Sequence, residues 1–374
     1  MESTARSNAP PASAATWSTA AISAHTRATY SSNFAFEKTS EAKLQNEHFV
    51  RQNGIEVYMP SATPSLYALK TIPRRTGRAA IHLIQCPLFS EHPMTHRVAI
   101  TGMGSLSPNG VGNEAFCRAL LAGTSGVRRV TRFDPSELPV QIAGEVDFDE
   151  SQFYDPHERK HVSRVVPMAI AAATEALREA GIEWGTLGID AKRDIGVILG
   201  SGGGAQEFSE EQYRLWMTGQ IKKVSLFSIP SGTMGTLSSE VSMRFGFRGQ
   251  SHVVTTGCTS STDALGYAFD QIRNGRIPAM LAGGVDSPIA PGIMKGFTLM
   301  RIMTPSWNHA PERASRPFSA DRDGFVVAEG AWMFVLEDFE RAKARGAKII
   351  AEIAGYGSTC EAFHRVRLEE CGEE

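Results

Sequence analysis

The chain has 374 residues, with 40 acidic against 38 basic side chains and a formal net charge of −2. That balance gives no electrostatic case for a nucleic-acid partner. The apolar run Ile81 to Ile84 is too short to span a membrane, and five cysteines at scattered positions without a Cys-x-x-Cys pair suggest neither a disulfide framework nor a zinc site.

Residues 1–34 are rich in Ser, Ala and Thr and poor in acids, with Arg6 and Arg27 among them. This is the composition of a disordered tail, of an organelle transit peptide, or of translated sequence upstream of a true start. Residues 35–93 show no sustained period, and Pro60, Pro64, Pro73 and Pro87 interrupt them. Residues 1–93 are therefore expected to be an extension outside the fold. Met94 to Glu374 is long enough for one large α/β unit.

Within that unit the first strand is expected at Arg97 to Thr101. Gly102-x-Gly104 follows it, but Ser105-Leu106-Ser107 stands where a third glycine of a dinucleotide loop would be needed. A helix is expected around Asn113 to Ala122, closed by Gly123. Another runs from about Pro167 to Ala180, with Ile170, Ala173, Thr174, Leu177 and Ala180 spaced to share faces and Gly181 closing it. A strand at Ile195 to Leu199 leads into Gly200-Ser201-Gly202-Gly203-Gly204. Lacking the Lys-Ser/Thr of a phosphate loop, this run is expected to mark a close approach of backbone. Further strands are expected at Ala279 to Ala282, at Val335 to Leu336 and at Ile349 to Ile353, the last two flanking a helix at Phe339 to Arg345. Strands alternating with helices imply a mixed sheet covered on both faces.

The most informative segment is Val253-Val254-Thr255-Thr256-Gly257-Cys258-Thr259-Ser260-Ser261. An apolar, β-branched strand runs through one glycine into a helix whose Ala264, Leu265, Ala268, Phe269 and Ile272 share a face. Cys258 falls at or just before the helix N-terminus, where unpaired N–H groups favour a thiolate. Such a sulfur can carry an acyl group; a buried, inert cysteine is the alternative from the local pattern alone.

The segments that follow are Ala279-Met280-Leu281-Ala282-Gly283-Gly284-Val285-Asp286, Gly296-Phe297, Met300-Arg301, Arg313 to Phe318 and Asp321-Arg322-Asp323-Gly324-Phe325-Val326. With Arg97 to Gly104, Ile142 to Glu145 and Gly355 to Cys360, they resemble the β-ketoacyl-acyl-carrier-protein synthases, most closely the chain-elongating condensing enzymes of fatty acid synthesis. The resemblance covers residue 97 to nearly the end of the chain. It implies a thiolase-like, layered α-β-α-β-α sandwich. Residues 94–347 would be its N-terminal half, and 348–374 the opening strand of a truncated C-terminal half. The helix after Cys258 would then lie in the middle layer.

The same resemblance makes Cys258 the acyl nucleophile of a cofactor-free, metal-free homodimer in a reducing cytoplasm, or in a plastid or mitochondrion if the extension is a transit peptide. It implies acyl and malonyl thioesters on an acyl carrier protein as substrates. It places Gly203 and Phe297 at the acyl pocket, a glycine at 203 implying a roomy one, although Phe297 in an apolar run is core by default. It places Lys160, Lys222, Lys223 and Arg301 on a basic patch suited to an acidic carrier protein. The family's His-Gly-Thr and Gly-Phe-Gly-Gly blocks are not in the 374 residues, so the condensation step is expected to lack its histidine and oxyanion partners. His364 is expected to be structural or pocket-lining, and Asp321, Arg322, Asp323 and Glu329 to form a buried ion network. Two alternatives stand beside the fatty-acid reading: a non-catalytic fragment that dimerises with a complete synthase, and a polyketide ketosynthase.

Overall fold

The computed structural model describes residues 47–52, 55–60, 96–364 and 366–367. The expectations for residues 1–46 and for 61–95 lie outside them. The chain divides into a unit over Met1–Cys86 and one over Pro87–Glu374. In the first, β1 (Glu47–Gln52) pairs antiparallel with β2 (Ile55–Pro60), from Glu47↔Pro60 to Gln52↔Ile55. The proline-centred reading passed over this hairpin. Its signal is Asn53-Gly54, a dipeptide favoured between paired strands because both residues tolerate positive φ.

The second unit runs, in chain order, through β3 (Val98–Ser107), β4 (Gly110–Val111), α1 (Asn113–Leu121), β5 (Val127–Arg129), β6 (Ile142–Gly144), α2 (Pro156–Arg159), α3 (Val165–Glu179), α4 (Ile189–Arg193) and β7 (Ile195–Gly200). It continues through α5 (Gln206–Met217), α6 (Ser228–Gly232), α7 (Thr236–Phe245), β8 (Ser251–Val254), α8 (Ser260–Arg273), β9 (Ala279–Asp286), α9 (Pro291–Leu299), β10 (Gly330–Asp338), α10 (Phe339–Ala344) and β11 (Ala351–Ile353). The main sheet has the order β11-β3-β10-β9-β7-β8, with β4 hairpinned onto β3. β7, β8 and β9 are parallel; β10 and β3 join antiparallel, giving the mixed sheet that the alternation of elements predicts. β11, expected to open a second half, extends this same sheet beside β3, with Ile353 opposite Val98.

Helices cover both faces. On one, α3 and α7 close over Val197, Leu199, Leu281, Met333 and Val335. On the other, α8 closes over Val98, Ile198, Met280, Ala282 and Leu336. Each large side chain removed from water this way contributes about 1.5–3 kcal/mol. A satellite cluster of Val130, Ile142, Ile289, Met294, Met303 and Val327 fills the space under the long loops.

β3 continues six residues past the expected Thr101, because its glycines are seats for a helix. A Cβ on Gly102 would stand 2.0 Å from the Ala176 carbonyl oxygen, and one on Gly104 2.0 Å from that of Ala172. The alanines of α3 are small and strongly helix-forming, so the helix lies directly on the strand. The register slips between Val335 and Leu336, which leaves Thr101 opposite no residue of β10. Its hydroxyl instead donates to the buried Glu337 carboxylate at 2.5 Å.

Candidate active site

The three parallel strands β7, β8 and β9 deliver their C-terminal ends, Gly200, Val254 and Asp286, to one edge of the sheet. In α/β folds this edge is where ligands meet the chain, because loops there are held by rigid strands. From β8 the chain passes through Thr255 and Thr256 into a tight 3-10 turn, Gly257–Thr259, and then into α8. Gly257 takes φ 71°, a left-handed conformation that a side chain disfavours. Cys258 follows it and is exposed. The sulfur thus stands at the tip of a strand–turn–helix elbow, in the 3-10 turn just ahead of α8.

Hydroxyl groups hold the elbow. Ser260 Oγ donates to the Gly257 carbonyl at 2.6 Å and accepts from the Thr256 N–H at 2.9 Å. The Asp263 carboxylate, one turn into α8 and buried, accepts from the hydroxyls of Thr256 and Thr259, the latter at 2.9 Å, and from Tyr356 at 2.5 Å. The Thr256 hydroxyl, followed by those of Tyr356 and Thr259, holds this carboxyl below the ordinary carboxylate range. The bond to Asp263 in turn raises the Tyr356 phenol.

The glycine loop after β7 lies against this turn. Asp286 receives the Ser201 hydroxyl at 2.9 Å and the N–H groups of Gly202 and Gly203 at 2.9 and 2.8 Å. A Cβ on Gly202 would lie 3.2 Å from the Gly257 carbonyl oxygen. The close backbone approach expected of this run is therefore an approach to the elbow. α8 itself sits on glycines, since a Cβ on Gly200 would stand 2.2 Å from the Ser260 carbonyl oxygen and one on Gly284 1.8 Å from Ser261 Oγ. Beside it opens a cleft of about 620 Å³ lined by Ser107, Phe116, Ser261, Asp286, Glu329 and Trp332 among others.

Glu329 anchors a buried ion network at the base of that cleft. Its carboxylate meets Arg132 at 2.8 Å and Arg164 at 2.9 Å, and receives the Ser287 hydroxyl and the Val146 N–H. Burial alone would raise its pKa. The hydrogen bonds and charge of Arg164, with Arg132 and Ser287, outweigh burial and hold it below the ordinary range. The expected network is corrected in its membership. Asp321, Arg322 and Asp323 are exposed, Asp321 pairing with Arg316 at 3.1 Å and Asp323 accepting from Thr304. The true partners of Glu329 are arginines far away in sequence, which no local pattern announces.

Of the other expected residues, Gly203 is brought to the elbow through Asp286. Phe297 is not among the cleft-lining residues; it packs edge-on against Phe325 at 5.5 Å beside the satellite cluster. Lys160, Lys222, Lys223 and Arg301 are all exposed. Lys160 precedes His161, whose Nδ1 lies 2.7 Å from Ser225 Oγ, so its loop adjoins the segment that follows Lys222 and Lys223. Arg301 lies two residues past α9 in a left-handed conformation, φ 57°. His364 accepts the N–H groups of Val366 and Arg367 on Nδ1, both at 3.0 Å, a structural role. Asp263 and Asp286 were not anticipated. Ser260-x-x-Asp263 is a capping-type spacing that could have revealed the first; Asp286 closes an apolar strand at its C-terminal end.

Comparison with known proteins agrees with this geometry. The family model described as the N-terminal domain of β-ketoacyl synthase matches residues 95–342. A 3-oxoacyl-[acyl-carrier-protein] synthase 2 of Rhizobium meliloti is 39% identical over 286 residues, covering 74% of this chain and 67% of that protein. A Streptomyces cyaneus protein assigned by name to polyketide β-ketoacyl synthase is 41% identical over 288 residues, covering 75% and 67%. A solved complex of a type II PKS acyl-carrier protein with its ketosynthase superposes with a TM-score of 0.62 at 29% identity, covering 72% of this chain and 64% of that one. The chain thus spans about two thirds of the length of the proteins it matches. The cysteine elbow, the glycine seats beneath it and these matches lead to one statement: the chain belongs to the β-ketoacyl synthase family of condensing enzymes, with a thiolase-like fold.

Proposed function

We propose that Cys258 accepts an acyl group from a carrier-protein thioester as the first half of a decarboxylative condensation. The single observation that carries this is the exposed sulfur at the tip of the Gly257 turn, in a chain of this family. The thiolate attacks the thioester carbonyl, a new C–S bond forms at Cys258, and the carrier thiol leaves. In the second half, the malonyl thioester loses CO₂ and its carbanion attacks the acyl-enzyme carbonyl. A C–C bond forms, the Cys258 C–S bond breaks, and the thiol is regenerated. This half needs donors at the malonyl carbonyl that the described residues around Cys258 do not supply, so it is proposed for the family's reaction and only the acyl transfer for the residues described. A reducing compartment such as the cytoplasm keeps the sulfur available for this cycle.

The carrier protein is proposed to dock through Lys160, Lys222, Lys223 and Arg301, whose exposure supports contact with an acidic partner. A homodimer is part of the same proposal. Trp216 and Met217 at the end of α5, Leu226 in the segment that follows and Ile229 on α6 are 61%, 86%, 90% and 76% exposed, apolar side chains of the kind that a second copy would cover.

Fatty acid elongation is the first reading. Polyketide extension is the second, supported by the Streptomyces cyaneus relative and by the carrier–ketosynthase complex. The test is mass spectrometry of the 374-residue chain after incubation with an octanoyl thioester. We expect the adduct on the peptide that holds Cys258 and its loss in Cys258→Ser; equal labelling of the exposed Cys117 would overturn the assignment. Substituting a poly-β-keto thioester and comparing rates separates the two pathways.

A further inference from the structure

The Asp263 carboxylate does no chemistry in the acyl transfer above, yet it is buried, 4% exposed, at the foot of the nucleophile turn. Its hydroxyl donors are arranged around the cysteine. Thr256 lies two residues before Cys258 and Thr259 one residue after it, so one carboxylate grips both sides of the turn. The third donor, Tyr356, comes from the segment after β11, 93 residues away along the chain. Its ring lies flat against α8 at Gly266, where a Cβ would come within 2.3 Å of the ring carbons, and it meets Tyr267 edge-on at 6.0 Å.

The Ser260 link between the Thr256 N–H and the Gly257 carbonyl then closes the turn from the other side. Without these bonds the turn would rely on the Thr259 hydroxyl, which also reaches the Thr256 carbonyl at 3.2 Å, and on one left-handed glycine, the most permissive residue for backbone conformation.

Building on the assignment of Cys258 as acyl acceptor, we infer that Asp263 and Tyr356 are positioning residues that lock the Thr256–Ser260 turn and thereby aim the Cys258 sulfur at the thioester carbonyl. Tyr356 fixes the carboxylate, the carboxylate fixes Thr256 and Thr259, and the two threonines fix the cysteine between them. A nucleophile held this way reaches its near-attack geometry without an ordering step. A displacement of about 1 Å at such a centre costs on the order of 100-fold in rate.

The test uses the full chain with Asp263→Asn and, separately, Tyr356→Phe. The second keeps the ring on Gly266 and removes only the hydroxyl, so it reports even if the first fails to fold. Hydrogen exchange is followed by mass spectrometry on the peptide containing Thr256 to Ser260, with the strand Ala279–Asp286 as internal reference. Single-turnover octanoyl transfer to Cys258 is measured on the same preparations. The expected result is exchange at the turn faster by roughly 2- to 10-fold, as one lost hydrogen bond would give, with the reference strand unchanged. Transfer should fall by about 10- to 100-fold in the rate at saturating thioester rather than in the half-saturating concentration. Unchanged exchange at the turn in the folded variants overturns the inference, and so does quickened exchange with an undiminished transfer rate. If the unmodified chain forms no Cys258 thioester, the acyl-acceptor assignment fails, and the exchange measurement still decides whether the clasp holds the turn.

Discussion

The helices on the two faces of the sheet are seated in the same way and made of different material. α3 rests on Gly102 and Gly104 of β3, and α8 rests on Gly200 and Gly284, each at a distance that leaves no room for a Cβ. On α3 the residues that meet the sheet are alanines and branched aliphatics, buried along almost its whole length. On α8 the corresponding first turn holds Ser260 and Asp263, tied by hydrogen bonds to the strand-end loop and to Tyr356. The first helix is placed mainly by packing along nearly its whole length, which is non-directional and tolerant of small rotations, with Glu175 and Glu179 adding bonds from the Ser105 and Met103 N–H groups of β3. The second packs through Ala264, Ala268, Phe269 and Ile272 and adds, at its first turn, directional bonds that fix the start of the helix and so the heading of the cysteine before it. Framework and site differ in the precision they demand, and the two kinds of contact supply it.

Substitutions can break this contrast in graded steps. Gly104→Val drives a side chain into the Ala172 carbonyl and should cost upwards of about 4 kcal/mol, visible as a lost or strongly lowered thermal unfolding midpoint. Arg164→Met leaves the buried Glu329 carboxylate with Arg132 as its remaining charged partner. About 3 kcal/mol should be lost in denaturant titration. The pH dependence of this network has a definite sign. Glu329 is held below its ordinary value of 4.5, so its contribution is present above that pH and is lost as pH falls through the lower folded-state value. Glu329→Gln should therefore flatten the acid limb of stability below pH 4.5; an unchanged limb would remove Glu329 from the account. Asp286→Asn keeps the shape of the acceptor and weakens the anchoring of the glycine loop, for an expected loss of about 1–2 kcal/mol and a slower acyl transfer. Lys222→Glu with Lys223→Glu should leave stability unaltered. It should slow transfer from an acidic carrier by about tenfold at low salt and leave a small thioester unaffected; equal loss with both substrates would exclude docking there.

Much of the framework was legible because it is local. The period of α3, the β-branched run of β8 and the single glycine before Cys258 each announce their element within a dozen residues, and the structure adopts them within a few positions of where they were expected. The extent of β3 was not legible, because Gly102-x-Gly104 reads as a loop that follows the strand until the helix that sits on it is known. The same limit governs the site. Cys258 is visible in its own neighbourhood, whereas its support comes from Asp286 and Tyr356, and the partners of Glu329 from Arg132 and Arg164. Such pairings are set by strand order, and strand order is a property of the whole chain.

The crowded glycines around the elbow also decide where this chain can be redesigned. A mutant library spread over positions 200 and 284 would consist mostly of misfolded members, whatever catalytic properties were sought. Gly203 is different: a Cβ there meets only the Asp286 carboxylate and the Gln206 side chain, both at 3.5 Å, an ordinary van der Waals separation. In the loop that lies against the elbow, it is the position where evolution or an engineer can add bulk without displacing the backbone that holds the turn.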